Sequence, residues 1–363
     1  MTRQQPIRVA IIGAGHLGRI HAKLIQQVDG AKLVGIAEPS PSAQRTMIES
    51  YDCEIVSDYQ KLLDGIDAAI VATPTRSHFE IAEDLISKGI HLLIEKPLTA
   101  CPYKAKRLVD LADEKDCVLS VGHCEQFNPA IQYAMDLVGQ PRFIQSTRAS
   151  GYTFRSTDIG VVHDLMIHDI DLVSSAFGSE LSDCQACGMT VFGGFEDMAQ
   201  ARLQFSCGAV AMLTASRCSF QPERSLQVFG TNGFATVNMT DHSVRSIRYP
   251  GWMKQEGFDF QTATQQQQDY IRDNLFTRIL PVEETQPPKL NAILEEQKQW
   301  IDCIKSDSEM VNTGQSAARA VRIADQVLQR IESHDWGLPQ VLPFESRPAN
   351  LPQELLTPIP QAA

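Results

Sequence analysis

Between residue 7 and about residue 121, short unbroken apolar runs alternate with stretches whose apolar positions recur at helical spacing. The runs are IRVAII (7–12), AKLVGIA (31–37), DAAIVAT (67–73), IHLLIE (90–95) and CVLSVG (117–122). Helical segments are expected to begin near His16, Ser40, Asp58, His78 and Ala100. Strands that are apolar throughout belong to a parallel sheet covered on both faces, so this half predicts a doubly wound α/β domain. After residue 123 the pattern changes. One helix near 160–177 precedes the β-like runs DCQACGMTVFGG, MAQARLQFS, GAVAMLTASRCS, RSLQVFG and GFATVNM. Gly193-Gly194, Cys207-Gly208 and Asn232-Gly233 punctuate them as hairpin turns do. Consecutive strands with tight turns predict an antiparallel or mixed sheet, hence an α+β second domain. QTATQQQQDY (261–270) reads as a surface loop or short exposed helix, and LNAILEEQKQWIDCIKS and TGQSAARAVRIADQVLQRIES as amphipathic helices. The expected division is 1–123, 124–336 with its last helices packing back on the first domain, and a Pro-rich extended tail over 337–363.

A chain of 363 residues supports two domains. The net charge of −12 argues against nucleic acid or an anionic membrane as partner, because phosphates would be repelled. A small anion remains admissible where a local pocket opposes the overall charge. MTRQQPIRVAIIGAG has no long apolar segment before its first glycine turn, so neither a signal peptide nor a membrane span is expected. Nine scattered cysteines fit a reducing cytoplasm better than a disulfide framework. Cys184 and Cys187 form one CxxC without a second pair at zinc-ribbon spacing, so ordinary thiols are expected and no metal.

VAIIGAGHLGRIHAKLI places Gly13-Ala-Gly15-His-Leu-Gly18 directly after a strand and opens a helix with it. In that context Gly13 permits a tight turn, Gly15 lets the backbone approach a pyrophosphate, and Gly18 allows close helix–sheet packing. The helix N-terminus adds N–H donors and positive partial charge. Glu38 closes the second strand, where a carboxylate accepts hydrogen bonds from ribose hydroxyls and repels a 2′-phosphate. NAD is therefore expected in preference to NADP.

Ligands of an open parallel sheet gather at the carboxyl ends of its strands. ATPTRSHFEIA (Thr73, Pro74, His78), LLIEKPLTACP (Glu95, Lys96) and VGHCEQFNPA (His123, Glu125, Gln126, Asn128) all fall there. In DIGVVHDLMIHDIDLVSSAFG, Asp164, His168 and Asp171 are four and three residues apart, which puts them on one helical face. Taken alone, the histidine could equally be a satisfied helix residue and the aspartates a solvated face.

GAGHLG, ATPTRSH, EKP, GHCEQFNP and DLMIHDIDL, in this order, resemble the Gfo/Idh/MocA family of NAD(P)-dependent oxidoreductases. GTNGFATV and QWIDCIKSDSEMVNTGQSAARAVRIA resemble its C-terminal part, so the likeness spans about residues 7 to 335. It implies a second domain built on a large, mostly antiparallel sheet, and hydride transfer between a nicotinamide and a secondary alcohol of a sugar or cyclitol. It further implies Lys96 as the catalytic lysine, with Asp164 and His168 beside it, and allows a cis Lys96–Pro97 bond. His168 suits a base for the hydroxyl proton and Lys96 suits a stabiliser of alkoxide charge. Which of the two takes the proton stays open.

The expected cofactor site is Gly13, Gly15, His16, Leu17, Gly18, Glu38, Thr73, Pro74, His78, Glu95, Lys96 and Gln126, and the expected substrate site Lys96, Asn128, Asp164 and His168. Within the family the resemblance is nearest to members acting at C3 of UDP-N-acetylglucosamine and its uronic acid, although those more often carry Arg where Gln126 stands. Arg148, Arg155 and Arg217 are candidates for a diphosphate, or else solvated surface residues. A free-sugar or inositol dehydrogenase using the same pair is the alternative, and a non-catalytic nicotinamide-binding regulator a third reading. A sheet with one open face also predicts a homodimer or homotetramer.

Overall fold

A computed structural model describes residues 5–153, 158–192, 194–254, 259–306, 308 and 310–336. The Pro-rich tail and Arg155 lie outside them. Six strands, β1 (Ile7–Ile12), β2 (Ala31–Ala37), β3 (Glu54–Val56), β4 (Ala68–Val71), β5 (His91–Ile94) and β6 (Leu119–Val121), form a sheet in the order β3-β2-β1-β4-β5-β6. Every neighbouring pair in it is parallel. Helices α1 (His16–Ile25), α2 (Pro41–Ser50), α3 (His78–Ser87) and α4 (Pro102–Glu114) connect its strands. The apolar runs are buried from both sides, and residues 68–71 of β4 are all inaccessible to solvent. The helix expected near Asp58 is instead a 3₁₀ turn over Tyr59–Gly65, and β3 falls between two polar stretches where no apolar run signals it.

The second sheet runs β14-β13-β12-β11-β7-β10-β9-β8 and is antiparallel except for β7 beside β10. Its strands are β7 (Pro141–Ala149), β8 (Leu181–Met189), β9 (Met198–Phe205), β10 (Val210–Ser216), β11 (Glu223–Gly230), β12 (Gly233–Asn238), β13 (Ser243–Arg248) and β14 (Glu283–Thr285). β7 lies near the middle of the sheet yet escapes the sequence pattern. It turns Ile144, Ser146 and Arg148 to the buried face and Phe143 to the other, so polarity and burial do not coincide. Helices α5 (Pro129–Val138) and α6 (Ile167–Phe177) cover one face, and α6 is preceded by a π turn over Val162–Met166. Beyond β13 come α7 (Gly251–Lys254) and α8 (Gln265–Asn274), the latter closed by a Thr264/Gln267 capping box.

The two last helices tie the sheets together. α9 (Ala292–Ser306) packs on α1 and buries Trp300 and Ile301 in the core that also holds Val9 and Ile11 of β1. α10 (Gly314–Glu332) places Ala317 and Val321 in the first core, and Ala320, Ile323, Ala324 and Val327 in the second. Among the described residues no helix is long and apolar enough to cross a membrane.

Candidate active site

The order of the first sheet reverses direction between β1 and β4, and a crevice opens at the carboxyl ends of strands at such a point. Gly13, just after β1, has φ +95°, and a Cβ there would stand 2.6 Å from the Ala72 carbonyl oxygen. A Cβ on Gly18 would collide with the Gly13 carbonyl, whereas one on Gly15 would meet open space. The loop is thus packed tightly behind and clear in front, as a backbone cradle for phosphate requires. Glu38, just past β2, accepts hydrogen bonds from the Ala14 N–H (2.8 Å) and the Ser40 N–H (2.9 Å), which fixes its carboxylate beside the loop.

A cleft of about 630 Å³ runs from this loop to the second sheet. Gly15, His16, Leu17, Thr73, Pro74, Glu95 and Lys96 line it from the first domain, and Asp164, Leu165 and His168 from the second. The Lys96–Pro97 peptide is cis. Lys96 Nζ donates to the Asp164 backbone oxygen (2.6 Å) and to Asp164 Oδ1 (3.0 Å), so two of its three N–H bonds are used and one is free. The π turn widens the helix at Asp164, where both of these acceptors arise. His168 follows one turn later. Its Nδ1 is buried without a hydrogen-bond partner among the described residues and its ring lines the cleft, leaving Nε2 to face it. Burial, with Lys96, Arg148, His123 and Arg224 adding positive potential, holds its pKa well below the usual imidazole range, so the ring is neutral. His123 stands edge-on to it, ring centroids 6.1 Å apart.

A chain of buried groups supports Lys96. Gln297 Nε2 lies 2.8 Å from His21 Nδ1, and His21 Nε2 lies 2.8 Å from Glu95 Oε1. With the amide donating to Nδ1, the imidazole N–H at Nε2 donates to the carboxylate. Burial alone would raise Glu95, but His21 and then Lys96 hold it below the usual carboxylate range. Its second oxygen accepts the Lys96 N–H at 3.2 Å. Glu296 lines the same end of the cleft, and burial with the nearby Glu95 and Asp171 charges pushes its carboxyl well above the usual range. Neither His21, Glu296 nor Gln297 was picked out by motif. The available signal was position: Glu296 and Gln297 lie four residues before Trp300 and Ile301, inside the buried stripe of α9.

His78, Gln126 and Asn128, expected as ligands, do not line the cleft and are committed to other contacts. His78 is buried, its Nδ1 2.9 Å from the Pro97 oxygen and its Nε2 2.9 Å from the Thr73 oxygen, so it packs between the two loops that do line the cleft and donates to one of their carbonyls. Gln126 donates to Asp171 Oδ2 (2.8 Å). Asn128 caps α5 by accepting from the Ala130 N–H and donates to Glu125 Oε2, both at 3.1 Å. Arg148 is committed as well: Nε donates to Asp169 Oδ2 (2.8 Å), Nη1 to Glu125 Oε1 (2.9 Å) and Nη2 to Met239 Sδ (3.5 Å). Arg217 donates to Asp197 Oδ1 (2.6 Å) and to the Ile159 oxygen (2.9 Å). Cys184 and Cys187 lie three apart on β8 and so point to opposite faces.

A glycine turn packed behind and open in front, a carboxylate fixed beside it, and a lysine and a histidine facing one cleft are the arrangement expected of a nicotinamide-dependent oxidoreductase. Residues 7–123 match the family model described as "Oxidoreductase family, NAD-binding Rossmann fold", and residues 134–236 the "GFO/IDH/MocA C-terminal domain". The chain belongs to the Gfo/Idh/MocA family, and its cofactor is NAD. It is 35% identical over 239 residues to the UDP-N-acetylglucosamine 3-dehydrogenase of Acidithiobacillus ferrooxidans, covering 66% of this chain and 76% of that one. It is 29% identical to the scyllo-inositol 2-dehydrogenase (NAD(+)) of Bacillus subtilis, again covering 66% and 76%. A crystal form of the Acidithiobacillus enzyme superposes with TM-score 0.78 at 28% identity, covering 91% of this chain and 99% of the other.

Proposed function

We propose that this oxidoreductase acts on a secondary alcohol of a nucleotide sugar, UDP-N-acetylglucosamine at C3. The observation that carries the reading is the cleft itself: Lys96, with one unspent N–H, and a neutral His168 share it with the glycine loop. The similarity to the UDP-N-acetylglucosamine 3-dehydrogenase supports the choice of substrate.

Gly13, Gly15 and Gly18 would seat the dinucleotide's pyrophosphate, and Glu38 its adenosine ribose, with His16, Leu17, Thr73, Pro74 and Glu95 along its length. When bound, NAD supplies the acceptor for hydride from the carbinol carbon. The protein's own groups handle the proton and the charge. A neutral imidazole has a lone pair, so His168 Nε2 takes the hydroxyl proton; Lys96 is pinned by its other N–H bonds and turns the free one to the same oxygen. As the O–H bond breaks, negative charge gathers on that oxygen, and the fixed ammonium stabilises it without reorganising. Asp164 orients Lys96, and its Oδ2 is left for an adjacent hydroxyl. In this arrangement the second unit, residues 124–336, presents the substrate to the first.

Incubation with NAD and a panel of UDP-sugars, myo-inositol and free hexoses, followed at the NADH absorbance, tests the reading. Signal with UDP-sugars alone is expected. Signal confined to myo-inositol would replace the substrate, and saturable NADH binding with no turnover would point to a regulator. We further propose a homo-oligomer in a reducing cytoplasm. Phe143, Phe229 and Phe234 cluster on the sheet face away from α5 and α6, with Phe229 37% exposed, which suits burial against a second copy. A monomeric mass in light scattering would refute that.

A further inference from the structure

A diphosphate-bearing substrate must find positive charge in a protein whose net charge is −12, and the cleft's cations are mostly spent. Lys96 is held by Asp164, Arg148 by Asp169 and Glu125, and Arg217 by Asp197. Arg224 on β11 differs. It lines the cleft, is exposed, and among the described residues makes no ion pair and no side-chain hydrogen bond.

Its position is unusual on physical grounds. In the β11–β7 ladder Arg224 lies directly opposite Arg148, so both side chains leave the same face of the sheet, the one that meets the cleft. Like charges directly opposite one another in a ladder are destabilising. Arg148 is hydrogen-bonded to its two carboxylates, whereas Arg224 feels the Glu125 charge without a hydrogen bond to it. A guanidinium presents five N–H donors in a planar fork that matches two phosphate oxygens at once. Ser150, Tyr152 and Thr153, which follow β7, line the cleft as well and give it polar groups near the strand end that carries Arg224.

We infer that Arg224 is the anion anchor of the substrate site, binding the diphosphate of a nucleoside-diphosphate sugar while the sugar ring lies at Lys96 and His168. This rests on the nucleotide-sugar reading above and assigns a specificity-determining residue to it. An uncharged polyol has no anionic group for this residue to hold.

The test is calorimetric titration of UDP and of UDP-N-acetylglucosamine into the full-length protein saturated with NADH. NADH occupies the cofactor cradle, so UDP cannot report that site, and reduced cofactor with an alcohol substrate does not react. Wild type is expected to bind both ligands. Arg224→Gln should weaken both by about tenfold to a hundredfold, and Arg224→Lys by less, because charge is kept and the fork is lost. NADH affinity and melting temperature, measured on each variant, show that the fold is intact. If wild type binds UDP-N-acetylglucosamine and both variants bind it equally well, the assignment of Arg224 fails and the proposed substrate stands. If wild type binds neither uridine ligand yet oxidises myo-inositol, the proposed function and this inference fall together.

Discussion

Two ion pairs in this molecule take their carboxylates from positions five residues apart in sequence, Asp164 and Asp169, and have opposite characters. Lys96 and Asp164, side chains 15% and 20% exposed, face a cleft, and the ammonium keeps one donor free. Arg148 and Asp169, 5% and 1% exposed, are closed in, and every guanidinium nitrogen has an acceptor. Despite the opposing cost of burial, Asp169 and Glu125 raise the Arg148 pKa above its ordinary value. Unspent hydrogen-bonding capacity thus marks which charges meet a ligand, and spent capacity marks those that hold the frame.

The largest effect should come from the first group. Lys96→Met and His168→Asn are each expected to lower kcat/KM by about a thousandfold or more, since both a proton acceptor and a charge stabiliser are at stake. NADH affinity, followed by fluorescence titration, should stay within a few-fold. Near wild-type turnover in either variant would remove that residue from the chemistry and blur the contrast with Arg148.

Arg148→Met should act on stability instead. It leaves Glu125 and Asp169 buried without their cation, a loss of about 3–5 kcal/mol in urea unfolding. A variant as stable as wild type would mean the network contributes no net stability, and the distinction between frame and site would need another basis.

Acid should sharpen the contrast further, through the histidines of the π turn and the helix it opens. His163 is pushed down to about 4 by burial, with Asp325 opposing, while an unfolded histidine titrates near 6.5. A group depressed in the folded state gives stability that is complete above pH 6.5 and lost as pH falls toward 4. That loss is about 3 kcal/mol for this residue. Burial depresses His168 and His123 in the same direction, so they act in the same sense. Glu296 has the opposite sign: its raised pKa gives stability below the ordinary carboxylate range that is lost as pH rises. His163→Leu should therefore gain on wild type steadily as melting temperatures are measured from pH 7 down to 5. The neutral His168 also predicts that kcat/KM for alcohol oxidation does not fall at pH 6.5 on this residue's account.

Much of this could be read in the chain because apolar periodicity reports burial and glycine spacing reports backbone geometry. The parallel strands other than β3, together with α9, α10 and the glycine loop, came from such signals, whereas the grouping of Lys96 with Asp164 and His168 came from the family resemblance. β7 did not, because its buried face carries Ser146 and Arg148 while Phe143 looks outward. Arg224 was missed for a related reason: whether an arginine is spent or free depends on partners such as Asp169 and Asp197, which are distant in sequence. His78 and Gln126 were placed beside the cofactor because strand ends gather ligands, yet proximity to an edge does not fix where a side chain points. His78 turns inward to two carbonyls, and Gln126 to Asp171.

Asn128 brings the smallest and most discriminating case, since the sequence offers it as a substrate ligand and the structure gives it two other tasks. Its Oδ1 accepts from the Ala130 N–H at the start of α5, and its amide donates to Glu125, itself bonded to Arg148. Asn128→Ala removes the cap and should cost about 1 kcal/mol. Asn128→Asp keeps an acceptor for the cap but sets a carboxylate against Glu125, whose own pKa is held down, after the opposing effect of burial, by Arg148. Its destabilisation should therefore be present at neutral pH and shrink as the medium is acidified through the carboxylate range. For both variants KM for the alcohol should change less than about twofold, because uniform binding energy is lost only where a residue touches the substrate. A KM rise with unchanged unfolding free energy would return Asn128 to the cleft and move the boundary between frame and site with it.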